Sequence, residues 1–171
     1  MIKEELKKAQ ASQFFCIISY HNNDVYYQIK LELEKHFSKI LFESNPMPKW
    51  RADFNLETGK NTNVLSFKQK INREEMPLIK KTTMEIKKKF LDKDALLQII
   101  PGYLNPHNVI VASSSDDFHK IYLFNGVHAE IVYKYEGQKL LPMEAASDFF
   151  SNNDVIYYFK NLREAHEQTI R

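Results

Sequence analysis

The chain has 171 residues, of which 43% are hydrophobic, 13% aromatic and 27% charged. This length predicts one domain spanning residues 1–171, and the composition is that of a globular protein rather than a disordered one. Lys and Arg number 24 against 22 Asp and Glu, a formal charge of +2, so we expect no general nucleic-acid binding, which requires a strong basic excess.

The N-terminal half predicts elements in the order strand, helix, strand, strand, helix. The apolar run at residues 14–20 is typical of a central strand buried on both faces. Residues 22–37 follow with an Asn cap and apolar side chains at helical spacing, and residues 39–43 form a second strand. Residues 50–63 are irregular and predict a mobile loop, after which residues 64–68 form a weak strand.

The second predicted helix and the elements after it complete an α+β pattern. The helix ends near Phe90 and begins either with Pro77 in its first turn or at Thr82. A C-terminal helix starts at Ser151, and the predicted strands before it are 96–100, 109–112, 120–124, 127–135 and 139–141. This order predicts a ferredoxin-like or related sheet, antiparallel or mixed, with helices on one face and β-hairpins extending it.

The compartment is predicted from cysteine use and from the N-terminus. Cys16 is the one cysteine and lies in an apolar run, so we expect a buried, reduced thiol without a catalytic role. The charged N-terminus leads to no signal-peptide core, and the longest apolar run, residues 14–18, is too short to span a membrane. We therefore expect a soluble cytoplasmic protein without a membrane partner.

Asn125-Gly126 is the strongest hairpin signal in the chain, because both residues of a type I′ turn need positive φ. A regular two-residue loop sets the register of the strands on either side. Leu123 then lies opposite His128, and Ile121 lies opposite Glu130.

That register predicts two chemically different faces. Tyr122 and Phe124 point to the core, whereas His119, His128 and Glu130 share the other face, with His119 diagonal to Glu130. A titratable cluster therefore lies beside aliphatic side chains.

Several interpretations fit this face. His119 and Glu130 could form an acid–base pair. His119 and Lys120 could bind an anion if the strand begins after them, since strand alternation otherwise directs neighbours to opposite faces. A metal site is not predicted, because no second close-spaced pair of ligands supports one. The structural interpretation is a cross-strand polar pair on a partly wet sheet face.

Motifs within residues 76–135 resemble those of a bacterial and archaeal family of domains of unknown function, number 4416. The family pattern is an Asp-Pro-Gly-Tyr-Leu turn, a His-Arg-Ile-Tyr-Leu strand and a Gly-Ile-Tyr-Ala-Glu-Val strand. The residues that match are Pro101, Gly102, Tyr103, Leu104, His119, Ile121, Tyr122, Leu123, Gly126, Ala129 and Glu130.

Three positions depart from the family pattern. Ile100 stands in place of aspartate, Lys120 in place of arginine and His128 in place of tyrosine. Glu85 matches a glutamate near a helix start in the family, and its structural interpretation is a capping box with Thr82. The resemblance implies where a site lies but no established activity.

Our leading hypothesis is a small anionic-ligand-binding or regulatory domain with no assigned cofactor. Its pocket would lie between a turn at residues 101–103 and the His119/Glu130 face, with Gly102, Tyr103, Lys120 and Glu85 as ligand-binding residues. The enzyme alternative is a hydrolase or transferase with His119 and Glu130 as the acid–base pair. The third alternative is a homo-oligomer, possible as a homodimer, built through aromatic helix or edge-strand surfaces.

Overall fold

The computed structural model describes residues 3–47 and 58–169. Its strands are β1 (Gln13–Tyr20), β2 (Ile40–Glu43), β3 (Asn61–Phe67), β4 (Gln98–Leu104), β5 (Asn108–Ser113), β6 (Lys120–Phe124), β7 (Val127–Glu136) and β8 (Lys139–Pro142). Its α-helices are α1 (Asn23–His36), α2 (Met76–Lys88) and α3 (Asn153–Thr169), and 3₁₀ turns at Arg73–Glu75 and Asp148–Ser151 precede the last two. The α+β class is confirmed.

The strands form one open sheet in the order β2-β3-β1-β4-β5-β7-β6. Every pair of neighbours is antiparallel, so the sheet is not mixed. The long strand β7 pairs with β5 along one side and with both β6 and β8 along the other. Within the described residues β6 is an edge strand, at the end of the sheet opposite to β2.

The helices cover both faces of the sheet, and the prediction that they lie on one face is wrong. Phe14, Cys16 and Ile18 of β1 point to a first face, which α1 and α2 cover. Phe15 and Ile17 point to a second face, which α3 covers. A central strand that is apolar on both sides needs a cover on each, because either side would otherwise remain in contact with water.

The first strand and helix match their predictions closely. The side-chain oxygen of Asn22 caps α1 by accepting hydrogen bonds from the backbone N–H groups of Asp24 and Val25, at 2.9 and 3.3 Å. The apolar stripe of α1, which includes Val25, Ile29 and Leu33, is buried against the first face.

The predicted mobile loop at residues 50–63 overlaps β3. Residues 50–57 lie outside the described residues, but residues 61–63 form the start of β3, where a loop was predicted. The polar side chain of Asn63 is bound within the sheet: it donates to the Ser44 carbonyl at 2.7 Å and accepts from the Tyr20 hydroxyl at 2.6 Å. These polar residues therefore suit a strand despite their loop-like composition.

The second helix begins at Met76 with Pro77 in its first turn, as one of the two predicted starts requires. The alternative start and the capping box of Thr82 with Glu85 are wrong, because both residues lie inside α2. The turn before the helix is closed by Glu75, whose carboxylate accepts from the backbone N–H of Asn72 at 2.6 Å. The C-terminal helix starts two residues later than the predicted Ser151, at Asn153.

The predicted turn at residues 101–103 is wrong, because these residues lie inside β4. Pro101 stands opposite Cys16 of β1, and the ladder to β5 begins only after this proline, which has no N–H to donate. A Cβ atom on Gly102 would overlap the Ile110 carbonyl oxygen and the Phe15 ring. Glycine is therefore required here by close packing rather than by a turn.

Two observations concern the predicted cellular compartment: the state of Cys16 and the character of the helices. Burial raises the pKa of the fully buried Cys16 thiol well above its usual value, which fits a thiol that acts as a small hydrophobe. Within residues 3–47 and 58–169, no helix has the length and apolar character needed to cross a bilayer.

Candidate functional site

The β6–β7 hairpin forms around the predicted turn. Asn125 and Gly126 both have positive φ, 49° and 79°, and Phe124 pairs with Val127. The register then shifts at Leu123, where one extra residue is accommodated as a β-bulge.

This bulge corrects the predicted register by one residue. Tyr122, not Leu123, lies opposite His128, and Lys120, not Ile121, lies opposite Glu130. Cross-strand partners share a face of the sheet, so Lys120 joins Glu130 on one face.

The predicted burial of two aromatic side chains of β6 is also wrong. Tyr122 is 60% exposed and Phe124 is 62% exposed. Tyr122 lies on the polar face because the bulge places it opposite His128. Phe124 is exposed because β6 is an edge strand and the buried clusters end with β7 residues such as Val127 and Ala129.

His119 reaches Glu130 from a turn that precedes β6. The turn is closed by the backbone N–H of Lys120, which donates to the Asp117 carbonyl at 3.0 Å. Nε2 of His119 lies 3.2 Å from Oε2 of Glu130, whose side chain is 8% exposed. The predicted proximity of the two residues is confirmed, although the path of the chain differs from the regular strand expected.

The second ring nitrogen of His119 has no hydrogen-bond partner among the residues that the structure describes. Nδ1 is buried and lies 3.8 Å from the nearest oxygen of Asp117, beyond hydrogen-bond distance. The ring packs edge-on against Phe118, with centroids 5.0 Å apart.

A second histidine–carboxylate pair lies on the same hairpin. Nε2 of His128 is 3.5 Å from a carboxylate oxygen of Asp116, and its buried Nδ1 has no hydrogen-bond partner in the described parts of the chain. The ring of Tyr122 packs edge-on against the His128 ring at 5.2 Å. Asp116 is not among the site residues predicted from the sequence. Two adjacent acids just before a histidine-bearing hairpin are the signal that could have found it.

Lys120 connects the start of β6 to the loop after β5 through hydrogen bonds. Its Nζ donates to Ser113 Oγ at 3.0 Å and to Ser115 Oγ at 2.8 Å. Ser113 stands opposite His128 on the β5–β7 ladder, so both serines belong to the polar face of the hairpin. Because the regular strand begins at Lys120, His119 and Lys120 reach the same face, which strand alternation alone would forbid.

The remaining predicted site residues lie elsewhere. Gly102 is opposite Val111, which in turn is opposite Glu130, so it lies two strands away on the same face. Tyr103 points to the first face, and Glu85 is exposed on α2, which covers that same first face. The pocket predicted between Tyr103 and the His119/Glu130 pair therefore does not form.

Tyr103 has its own surroundings on the first face. It is buried, and the Arg73 guanidinium lies 5.9 Å from the centre of its ring. Burial raises the pKa of the Tyr103 hydroxyl, and Arg73 partly opposes this. Ile100, which replaces the family aspartate, is buried on the second face in the same cluster as Val111.

The charge balance of the polar face is negative. Among the described residues of this face, Glu130, Asp116 and Asp117 contribute three carboxylates, and Lys120 contributes an ammonium group that donates to the serine hydroxyls. Within the described parts of the chain, no group of three or more His, Cys, Asp or Glu side chains is arranged to hold a metal ion. The arrangement suits transfer of a proton at an imidazole whose other nitrogen is held by a buried carboxylate.

Comparison with known proteins identifies a family but no activity. The family model described as domain of unknown function (DUF4416) matches residues 10–166. No curated protein and no solved structure matches the chain.

Proposed function

Since the chain belongs to the family of domains of unknown function DUF4416, which assigns no activity, we propose a function from the site itself. His119 acts as the general acid–base group of a hydrolase- or transferase-type enzyme, and Glu130 positions it. The observation that carries this proposal is the 3.2 Å contact between His119 Nε2 and Glu130 Oε2, with the carboxylate almost fully buried.

The chemistry follows from the two ends of the imidazole. A buried carboxylate that accepts the Nε2–H fixes the ring, and it stabilises the imidazolium that forms when the ring takes up a proton. Nδ1 is then the atom that exchanges a proton with substrate. Because Nδ1 is buried, the proposal requires the turn between Asp117 and Lys120 to move when a substrate binds.

The test is a panel of generic substrates: p-nitrophenyl phosphate, p-nitrophenyl acetate and a nucleoside triphosphate. We expect turnover of one of them to fall by about 10²- to 10⁴-fold in His119→Asn and substantially in Glu130→Gln. His36→Asn, which changes a histidine near the end of α1 outside the site, is the matched control. Turnover that survives His119→Asn would exclude the proposal.

A second candidate is the binding of a small anion at Lys120. Its support is the cluster of Lys120 with the Ser113 and Ser115 hydroxyls, the groups that commonly bind phosphate. We rank it second because the nearby carboxylates of Asp116, Asp117 and Glu130 disfavour an anion. Inorganic phosphate should raise the melting temperature of the wild type but not of Lys120→Met. Lys134→Met, at an exposed position of β7, is the control.

A third candidate is a homodimer formed through β6. Its support is the exposure of large apolar side chains at this edge, notably Phe118 at 89%, Ile121 at 64% and Phe124 at 62%. Surfaces of this kind mark contact sites in many proteins.

A more specific description of the fold is also a proposal. We infer that β1 to β4 with α1 and α2 form a ferredoxin-like core, which β5 to β8 extend. The inference is supported by the order β2-β3-β1-β4, by antiparallel pairing and by the position of both helices on the first face. The single domain and the cytoplasmic location stay predictions.

A further inference from the structure

A cleft of about 740 Å³ lies between α3 and the chain from Leu41 to Met47. This volume is within the range of pockets that bind small molecules. The cleft is remote from the His119/Glu130 pair, because β2 and β6 are at opposite ends of the sheet.

The cleft has aromatic and aliphatic walls that remain in contact with solvent. Phe42 is 49% exposed, Leu41 is 50% exposed and Tyr157 is 68% exposed. Tyr158 connects the two sides, since its hydroxyl contacts Ser66 Oγ at 2.5 Å and donates to the Phe42 carbonyl at 3.2 Å. That hydroxyl is therefore engaged within the protein, whereas the Tyr157 ring is available to a ligand.

The described walls of the cleft carry negative charge. Glu43 and Asp154 line it, and no Lys, Arg or His of residues 3–47 and 58–169 does so. The negative charge of Glu43 is already balanced by a neighbouring cation. Lys30 Nζ lies 3.0 Å from the Glu43 carboxylate, and the Tyr26 hydroxyl donates to it at 2.5 Å. Although partial burial opposes it, these two hydrogen bonds hold the pKa of Glu43 below its usual value.

Asp154 supplies the uncompensated charge. It is exposed in the first turn of α3 and has no ion pair among the residues that the structure describes. The cleft therefore combines one free carboxylate with aromatic faces, which is the combination that attracts organic cations.

We propose that this cleft binds a small organic cation, an amine or quaternary ammonium carried on an apolar or aromatic body. The cationic group pairs with Asp154, and the body packs against Tyr157 and Phe42. The proposal is independent of any activity at His119.

Three probes of one shape separate the effect of charge from that of packing: benzylamine, benzyl alcohol and benzoate. Binding is followed by amide chemical shifts in the ¹H–¹⁵N spectrum of the full chain. We expect saturable shifts within residues 41–47 and 154–165, with benzylamine the tightest and benzoate the weakest.

Two variants test the roles of the Asp154 carboxylate and of the aromatic wall in binding. Asp154→Asn should weaken benzylamine about threefold to fivefold, the value of an exposed ion pair, and should leave benzyl alcohol unchanged. Tyr157→Ala should weaken both. Asp148→Asn, at an exposed position outside the cleft, is the matched control and should bind benzylamine like the wild type.

Three results would overturn the proposal. They are benzoate binding as tightly as benzylamine, benzylamine shifts that do not saturate or that lie outside the cleft, and equal benzylamine affinity in Asp154→Asn and Asp148→Asn. All these residues are exposed, so preserved amide dispersion in each variant separates lost binding from lost folding.

Discussion

Lys120 of β6 stands directly opposite Glu130 of β7. The β-bulge at Leu123 causes this pairing, because it moves every residue before it by one position along β7. It makes Lys120, rather than an aliphatic side chain, the cross-strand neighbour of the buried glutamate. The polar face of the hairpin thus depends on one extra residue in an exposed strand.

The His119–Glu130 contact should be measurable as a coupling free energy. In a double-mutant cycle with His119→Gln and Glu130→Gln, we expect about 1–2 kcal/mol, since one partner is a buried carboxylate. Chemical denaturation of the four proteins gives the value. A cycle between His119 and the half-exposed Asp117, 3.8 Å away, should give less than about 0.5 kcal/mol. Equal values in the two cycles would contradict a specific pair.

His166 should make the protein less stable in mild acid. Burial first, and then the Lys70 ammonium 2.8 Å from Nδ1, lower the pKa of this imidazole below 6.5. The unfolded chain therefore takes up this proton at a higher pH than the folded chain. The contribution of neutral His166 to stability is complete above pH 6.5 and is lost as the pH falls towards the folded-state pKa.

The test for His166 is the slope of unfolding free energy against pH. His166→Gln should flatten the slope on the acid side of neutrality. An unaltered slope in His166→Gln would show that another group causes the acid sensitivity.

Asp94 should stabilise the start of α1. Its carboxylate is buried and accepts hydrogen bonds from the backbone N–H groups of His21 and Asn22, at 2.8 and 3.0 Å. Asp94→Ala leaves both donors without this partner, and we expect a loss of about 2–4 kcal/mol in denaturant unfolding. Asp92→Ala, at an exposed position two residues earlier, should change stability by less than about 0.5 kcal/mol.

Gly102→Ala should destabilise the sheet by about 1–3 kcal/mol, because the added methyl group would overlap the Ile110 carbonyl and the Phe15 ring. Thermal unfolding measures the loss. The comparison variant is Gly137→Asn, since a Cβ there meets no atom within 4 Å and asparagine tolerates the positive φ of 60°. A loss at Gly102 no larger than that at Gly137 would argue against close packing in β4.

If the chain forms a homodimer, we expect the exposed edge of β6 to be its interface. Light scattering across a concentration series should then give a dimer mass for the wild type and a monomer mass for Ile121→Lys with Phe124→Lys. Both side chains are exposed, so the substitutions leave the core intact. Leu78→Lys on α2, where the side chain is 67% exposed, is the control. A wild-type mass of one chain at all concentrations would refute the dimer.

Local patterns determined much of the fold. The apolar run of β1, the cap and stripe of α1 and the positive-φ turn of Asn125-Gly126 were all predicted, because each depends on residues close in the chain. The closeness of His119 to Glu130 was predictable for the same reason, since the hairpin joins them within eleven residues.

Tertiary structure decided which faces those elements share. The strand conformation of Pro101, the separation of Tyr103 from Glu130 and the cover of both sheet faces depend on partners distant in sequence. Cleft walls from β2 and α3 meet in the same way, with the Tyr158 hydroxyl and the Phe42 carbonyl separated by 116 positions. Periodicity indicates that a side chain is buried on some face, but only packing between distant elements determines which face that is and what it contacts.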